Sequence, residues 1–230
     1  MKKISKLLVV LILASWGLNA QNEANPWQLT LGVNAVNVYP VGEDAPQGPY
    51  FDEFFNVSDH WNILPTLSTL TVSKYLKNNI SFGLTASINR IEKWGQTSDN
   101  VTAEVGELMY YGIDGIAKYS LGDLINSTKL EPFIGLGGGY TWIEEGKYNN
   151  NSESSSNATV GAGTLNGTLG LAYWFTDNIG LTFSSTYKHS FKDYLTKHFQ
   201  HAVGLAINFG GEFEPEIIPD PDTDGDGIND

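Results

Sequence analysis

Five positions at the end of the chain carry its most specific chemistry. Asp222, Asp224 and Asp226 stand at alternate positions, and Gly227 follows them. Three carboxylates so spaced, then a glycine for a sharp turn, build the oxygen cage that calcium prefers. Ile228 is placed to add its backbone carbonyl, and Asp230 a further carboxylate, directly or through water. The alternative is a solvated acidic spacer. The motif stops where its next ligand is due, so this chain alone is expected to bind calcium weakly and the natural protein to continue. Calcium is the one cofactor expected.

The other chemistry-bearing residues form no catalytic set, and no enzymatic activity is expected. His189 and Asp193 evoke a hydrolase, but no nucleophile and base are fixed together. His198 and His201 fall on opposite faces of a strand and cannot share a metal. Gly135, Gly137, Gly138 and Gly139 resemble a phosphate loop in composition, yet a phosphate cradle opens a helix and this run lies inside a strand. There the glycines ease curvature and leave room for large neighbours. The absence of cysteine excludes disulfides and thiol chemistry. Sequons such as Asn157-Ala158-Thr159 carry no message in a bacterial protein.

The elements that position these residues are read from an alternation of apolar with small or polar residues in about eight stretches between Trp27 and Phe209. Ile80, Phe82, Leu84, Ala86 and Ile88 interleave with Ser81, Gly83, Thr85, Ser87 and Asn89, which gives a strand one apolar and one polar face. The stretches run at Trp27–Asn37, Ile63–Leu76, from Ile80 to about Asn89, Leu108–Leu121 and Leu130–Trp142, then around Thr164–Tyr173, Ile179–Lys188 and Ala202–Phe209. In the second, Leu67 and Leu70 fall on opposite parities and Pro65 cannot donate to a ladder, so a bulge is expected. Lys77-Asn78-Asn79 and Asp177-Asn178 read as tight turns. Long connections occupy Tyr39–Trp61, Lys93–Glu107 and the Ser-rich Glu144–Val160.

Long connections alternate with mostly short ones, and aromatics gather at both ends of the apolar face. Trp27, Tyr119, Tyr173 and Phe209 lie at the short-turn end; Tyr111, Tyr140, Trp142 and Tyr187 lie at the other. Two aromatic belts and asymmetric loops are what a bilayer selects. The expected fold is therefore all-β, an eight-stranded antiparallel transmembrane β-barrel, with a soluble lipocalin-like barrel and a β-sandwich as alternatives. The inward set is polar (Asn34, Asn89, Asp114, Lys118, Glu131, Asn166 and Lys188), where a lipocalin would be apolar. Buried charges must pair, and Lys118 with Glu131 is the expected pair in a packed polar core.

Three segments are expected. Residues 1–20 read as a cleavable signal peptide, with Lys2, Lys3 and Lys6 before the apolar run Leu7–Trp16 and a cleavage site after Ala20. Residues 21–211 form the barrel, and 212–230 an acidic linker. Removing the signal leaves 10 basic residues against 26 acidic, a net charge of −16. Eight of the acidic residues follow Gly211. No nucleic-acid partner is expected of so acidic a chain, because phosphate binding needs a basic surface.

Several stretches resemble the OmpA family in the form found in Bacteroidetes: Asn34-Ala35-Val36-Asn37-Val38-Tyr39-Pro40, Phe55-Asn56-Val57-Ser58-Asp59-His60-Trp61-Asn62, Gly137-Gly138-Gly139-Tyr140-Thr141-Trp142 and His198-Phe199-Gln200-His201. The tail resembles a thrombospondin type 3 calcium repeat. This resemblance implies an outer-membrane barrel with extracellular loops and a periplasmic C-terminus, followed by a calcium-binding linker and a peptidoglycan-binding domain. That last domain is absent from this sequence, so contact with peptidoglycan belongs to none of its residues. Gly204, Ile207 and Phe209 match the spacing of the family's assembly signal, while Ala202 stands where a polar residue is usual. The implied role is a structural anchor of the outer membrane, with outer-membrane lipid and lipopolysaccharide as surroundings. Two alternatives stand beside it. One is a porin for small solutes. The other is a surface interaction module, or a subunit of a larger outer-membrane complex, whose loops Asp44–Trp61 and Lys147–Ser156 contact other outer-membrane proteins.

Overall fold

A strand with one apolar face must bury one of its sides, and a ring of such strands leaves no edge unpaired. The chain takes that solution. A computed structural model describes residues 21, 23–97, 101–127, 129–149 and 159–210. Among them are nine strands: β1 (Trp27–Asn37), β2 (Trp61–Ile63), β3 (Thr69–Lys77), β4 (Ile80–Gln96), β5 (Thr102–Ser120), β6 (Leu130–Glu144), β7 (Thr159–Trp174), β8 (Ile179–Ser190) and β9 (His198–Phe209). Neighbours from β3 to β9 pair antiparallel, and β9 returns to β1 in an unbroken register from Trp27↔Phe209 to Asn37↔Phe199.

Nine strands make eight staves. On its other edge β1 pairs with β3 through Trp27–Gly32 and with β2 through Ala35–Asn37, so β2 and β3 are two halves of one stave. The bulge expected near Pro65 is instead a break. A residue without an N–H cannot hold a central ladder, and the chain leaves it between Ile63 and Thr69. Ser68 partly bridges the gap, accepting a hydrogen bond on Oγ from the Asn34 amide at 2.9 Å.

A second correction concerns the connection expected over Lys93–Glu107. β4 has 17 residues and β5 has 19, against roughly 9–11 needed to cross a bilayer. Most of that presumed loop is therefore ladder standing beyond the belt of aromatics. Register shifts between Ile91 and Lys93 and between Lys93 and Gln96 break the period of two there, which hid the strand. The short end behaves as expected. Asn78 and Asn79 both have positive φ, the conformation that a two-residue hairpin turn requires and asparagine tolerates. Between Leu121 and Leu130 a 3₁₀ turn spans Gly122–Ile125.

Burial separates the barrel from its alternatives. Leu84 is 58% exposed, Leu136 65% and Leu169 68%, whereas Asn89, Asn166 and Lys188 are fully buried. Apolar outside and polar inside is the reverse of a lipocalin or a sandwich. The expected belts stand on that exterior, with Trp27, Tyr119, Tyr173 and Phe209 exposed at the short-turn end and Tyr111 and Tyr140 at the other. Trp142 and Tyr187 are half-buried there.

Candidate functional site

The inward residues of the staves fill the lumen in layers. At the long-loop end the period of two continues inward as Asn34, Val36, Val38 and as Asp114, Gly112, Tyr110, Leu108. These meet Ile91, Trp94, Ile143, Val160, Ala162 and Leu195 in a fully buried apolar cluster. An apolar plug inside the barrel mouth excludes water from the axis.

Below it lies a layer of buried hydrogen bonds in two networks. Lys188 Nζ donates to Asp114 Oδ2 at 2.7 Å and to Tyr110 OH at 3.0 Å. Tyr110 OH donates in turn to His198 Nε2 at 3.1 Å, and His198 Nδ1 to the Thr196 carbonyl at 3.0 Å. Asn166 Nδ2 takes the other carboxylate oxygen at 2.7 Å. Both charges are thus removed from water but fully partnered, the condition under which a buried pair is tolerated. Gly139 makes this possible, because a Cβ there would collide with Asp114 Oδ1. On the opposite wall Asn89 Nδ2 donates to Asn34 Oδ1 at 2.7 Å and to the Asn62 carbonyl at 3.0 Å. Asn62 Oδ1 accepts from the Glu92 and Lys93 amides, both at 2.8 Å.

Further down, threonines from facing strands pair, Thr71 with Thr85 at 2.8 Å and Thr168 with Thr186 at 2.9 Å. They line a cavity of about 100 Å³. The short-turn mouth holds a larger one of about 350 Å³ bordered by Gln28, Ser81, Lys118, Glu131, Phe133 and Trp174. Here the expected Lys118–Glu131 pair is corrected. Lys118 Nζ reaches Gln28 Oε1 at 3.4 Å and the Phe133 ring, while Glu131 Oε2 accepts from the Trp174 indole at 2.7 Å. Register explains the separation. Lys118 stands opposite Gly135, and Glu131 lies four residues along β6, roughly 13 Å of strand away. The lumen's ion pair is Lys188–Asp114.

The connection between β1 and β2 builds a second feature, on the outside of the wall. Tyr39 stacks on His60 at 4.0 Å and Trp61 on His201 at 4.1 Å. Phe54 meets the rings of Phe199 and His201 edge-on at 4.9 and 5.0 Å. Asn56 caps the short helix α1 (Val57–His60), accepting from the Asp59 amide. Glu53 Oε2 accepts from Asn56 Nδ2, His60 Nε2 and Gln96 Nε2 at 2.8, 2.9 and 3.0 Å. The bonds from Asn56 and His60 hold its carboxyl below the usual range. Burial, then the Asp52 carboxylate, pushes the Tyr39 phenol up. A Lys197–Glu43 ion pair ties the same connection to the loop before β9, and that bond raises the Lys197 ammonium.

Three of the four stretches that carry the family resemblance, 34–40, 55–62 and 198–201, therefore meet in one place. The separation of the histidines holds: His198 faces the lumen and His201 lies under the lobe. His189 packs on the outer wall against the rings of Tyr187 and Phe191. Asn62, Tyr110, His198 and the aromatic lobe did not emerge as site residues from sequence. For Tyr110 and His198 the inward parity was the available signal. Asp222, Asp224, Asp226, Ile228 and Asp230 lie outside the described residues, as do the signal segment and the linker from Glu212. Among the described residues no three His, Cys, Asp or Glu side chains converge on a metal position.

A closed antiparallel ring, apolar outside and filled inside, defines the class: a small eight-stave β-barrel of the transmembrane type. No family model matches the sequence, and no curated protein matches it. Solved structures resemble it at low identity. One is the N-terminal β-barrel domain of Pseudomonas aeruginosa OprF, at 13% identity and a TM-score of 0.45 over 79% of this chain and 97% of that one. A second is Ail, the attachment invasion locus protein of Yersinia pestis, at 11% and 0.46 over 80% and 99%. A third is the E. coli outer membrane protein W, at 16% and 0.45 over 82% and 100%. The fold itself rests on the ladders described above.

Proposed function

We propose that this chain is an outer-membrane anchor, a non-conducting barrel that fixes a periplasmic tether to the membrane. One observation carries the reading: the lumen is closed twice, by the apolar cluster around Trp94 and by the Lys188–Asp114 layer beneath it. A diffusion pore keeps a wet, charged axis; this one is packed. In the proposal the acidic segment after Gly211 is a calcium-binding linker, and a peptidoglycan-binding domain beyond this chain completes the tether.

Orientation follows from loop length, with the long connections outside the cell and Asn78-Asn79 in the periplasm. Lys147 and Lys77 are both exposed, so a membrane-impermeant biotin reagent on intact cells distinguishes them. Modification of Lys147 and protection of Lys77 is the expected result; the reverse pattern would invert the topology.

The linker is tested by calorimetry on a chain extended past Asp230. Calcium should bind with a dissociation constant on the order of 10⁻⁴–10⁻³ M, as in extracellular modules of this chemistry. The Asp224→Ala, Asp226→Ala variant should lose that heat. Identical titrations would reduce the motif to a solvated spacer and remove calcium from the tether.

The lobe between β1 and β2 favours a second role, contact with a neighbour at the outer surface. Phe51 is 66% exposed and Phe55 81%, a large apolar surface for a loop.

A further inference from the structure

Beneath that lobe the outer wall is hollowed. Phe51, Phe54 and Phe55 overhang a groove of about 1040 Å³, whose floor is Gly167 and Ser185 and whose side is Tyr187. The groove descends to Leu169. Its floor is low because β7 has no side chain at Gly167, where an added Cβ would meet nothing within 4 Å. Gly167 pairs with Tyr187 and Leu169 with Ser185, so the hollow begins at the outer aromatic belt and runs down the lipid-facing wall.

Three features define its occupant. The hollow is continuous with the exterior that the membrane reading places in lipid. The roof bars a flat β-wall or a helix from the floor and leaves a slot for a narrow flexible chain. One carboxylate, Glu53, lines it at the roof, and its three hydrogen bonds fix it there as an anion facing the headgroup level. We infer that this groove holds an acyl chain of an outer-leaflet lipid whose primary ammonium headgroup sits against Glu53. The inference rests on the membrane reading above and adds to it a specific site.

The test is native mass spectrometry of the barrel released from nanodiscs of equal phosphatidylethanolamine, phosphatidylcholine and phosphatidylglycerol. One phosphatidylethanolamine should remain bound per chain, several-fold above either other lipid. Gly167→Leu fills the slot and should lose it. Gly163→Leu, on the same strand and face but outside the groove, should keep it. Glu53→Gln should retain a lipid but lose the preference among headgroups. Retention undiminished in Gly167→Leu, no retained lipid in the wild type, or a dimer mass in its place would overturn the site. Unchanged preference in Glu53→Gln would overturn the headgroup assignment. A barrel that enters nanodiscs yet holds no lipid refutes this inference alone; one that enters no bilayer refutes the membrane reading beneath it.

Discussion

Replacing Leu84 by Arg is expected to destabilise the barrel in a bilayer by about 2–4 kcal/mol, the cost of a cation near the membrane midplane. Leu84 lies halfway along the apolar face of β4, between the belts, and is more than half exposed. In water an exposed Leu→Arg change would be nearly neutral, so the size of the effect reports the solvent around the wall. Thr85, the next residue, points inward and bonds Thr71. Thr85→Ser keeps the hydroxyl and should cost at most the lost methyl, about 0.8 kcal/mol. Urea unfolding of both variants refolded into phosphatidylcholine vesicles makes the comparison. Equal costs would mean that the two faces of β4 share one environment, which a membrane barrel forbids.

The second large effect belongs to the luminal pair. Asp114→Asn leaves the fully buried Lys188 ammonium without a counter-charge, and Lys188→Met strands the Asp114 carboxylate. Each single change is expected to cost about 3–5 kcal/mol, because the penalty is the uncompensated charge and not merely a lost bond. The double variant buries no charge at all. It should recover most of the loss, giving a coupling energy of about 2–3 kcal/mol for groups in direct contact. Additive losses would show that the two side chains do not face each other across the lumen. Lys118→Met and Glu131→Gln serve as the contrast. They lie apart at the open mouth, so their effects should be small and should add.

The staves and the sidedness of the wall were legible because a strand's period of two reports directly which residues share a face. That signal identified Leu84 and Leu169 as outward and Asn34, Asp114, Asn166 and Lys188 as inward. It failed where the period breaks. At Pro65 the stave splits in two, and around Lys93 register shifts disguise ladder as loop. Pairing inside the lumen was illegible for another reason. Asp114 and Lys188 are 74 residues apart, and only the register of β5 through β8 brings them together, whereas Lys118 and Glu131 are close in sequence and far apart along β6. The lobe over Phe199 and His201 left no periodic trace, since loops are shaped by individual contacts such as Tyr39 on His60. Two stretches in it, 34–40 and 55–62, carried the family resemblance without any hint that they touch.

The central claim is that the barrel is shut. Its most direct test is current through the purified, refolded chain in a planar bilayer, with insertion confirmed by heat-dependent mobility of the recovered protein on a gel. The account predicts no steady conductance, because both the Trp94 cluster and the Lys188–Asp114 layer would have to open together. Stable, stepwise openings that persist at low voltage would contradict it and make the barrel a pore.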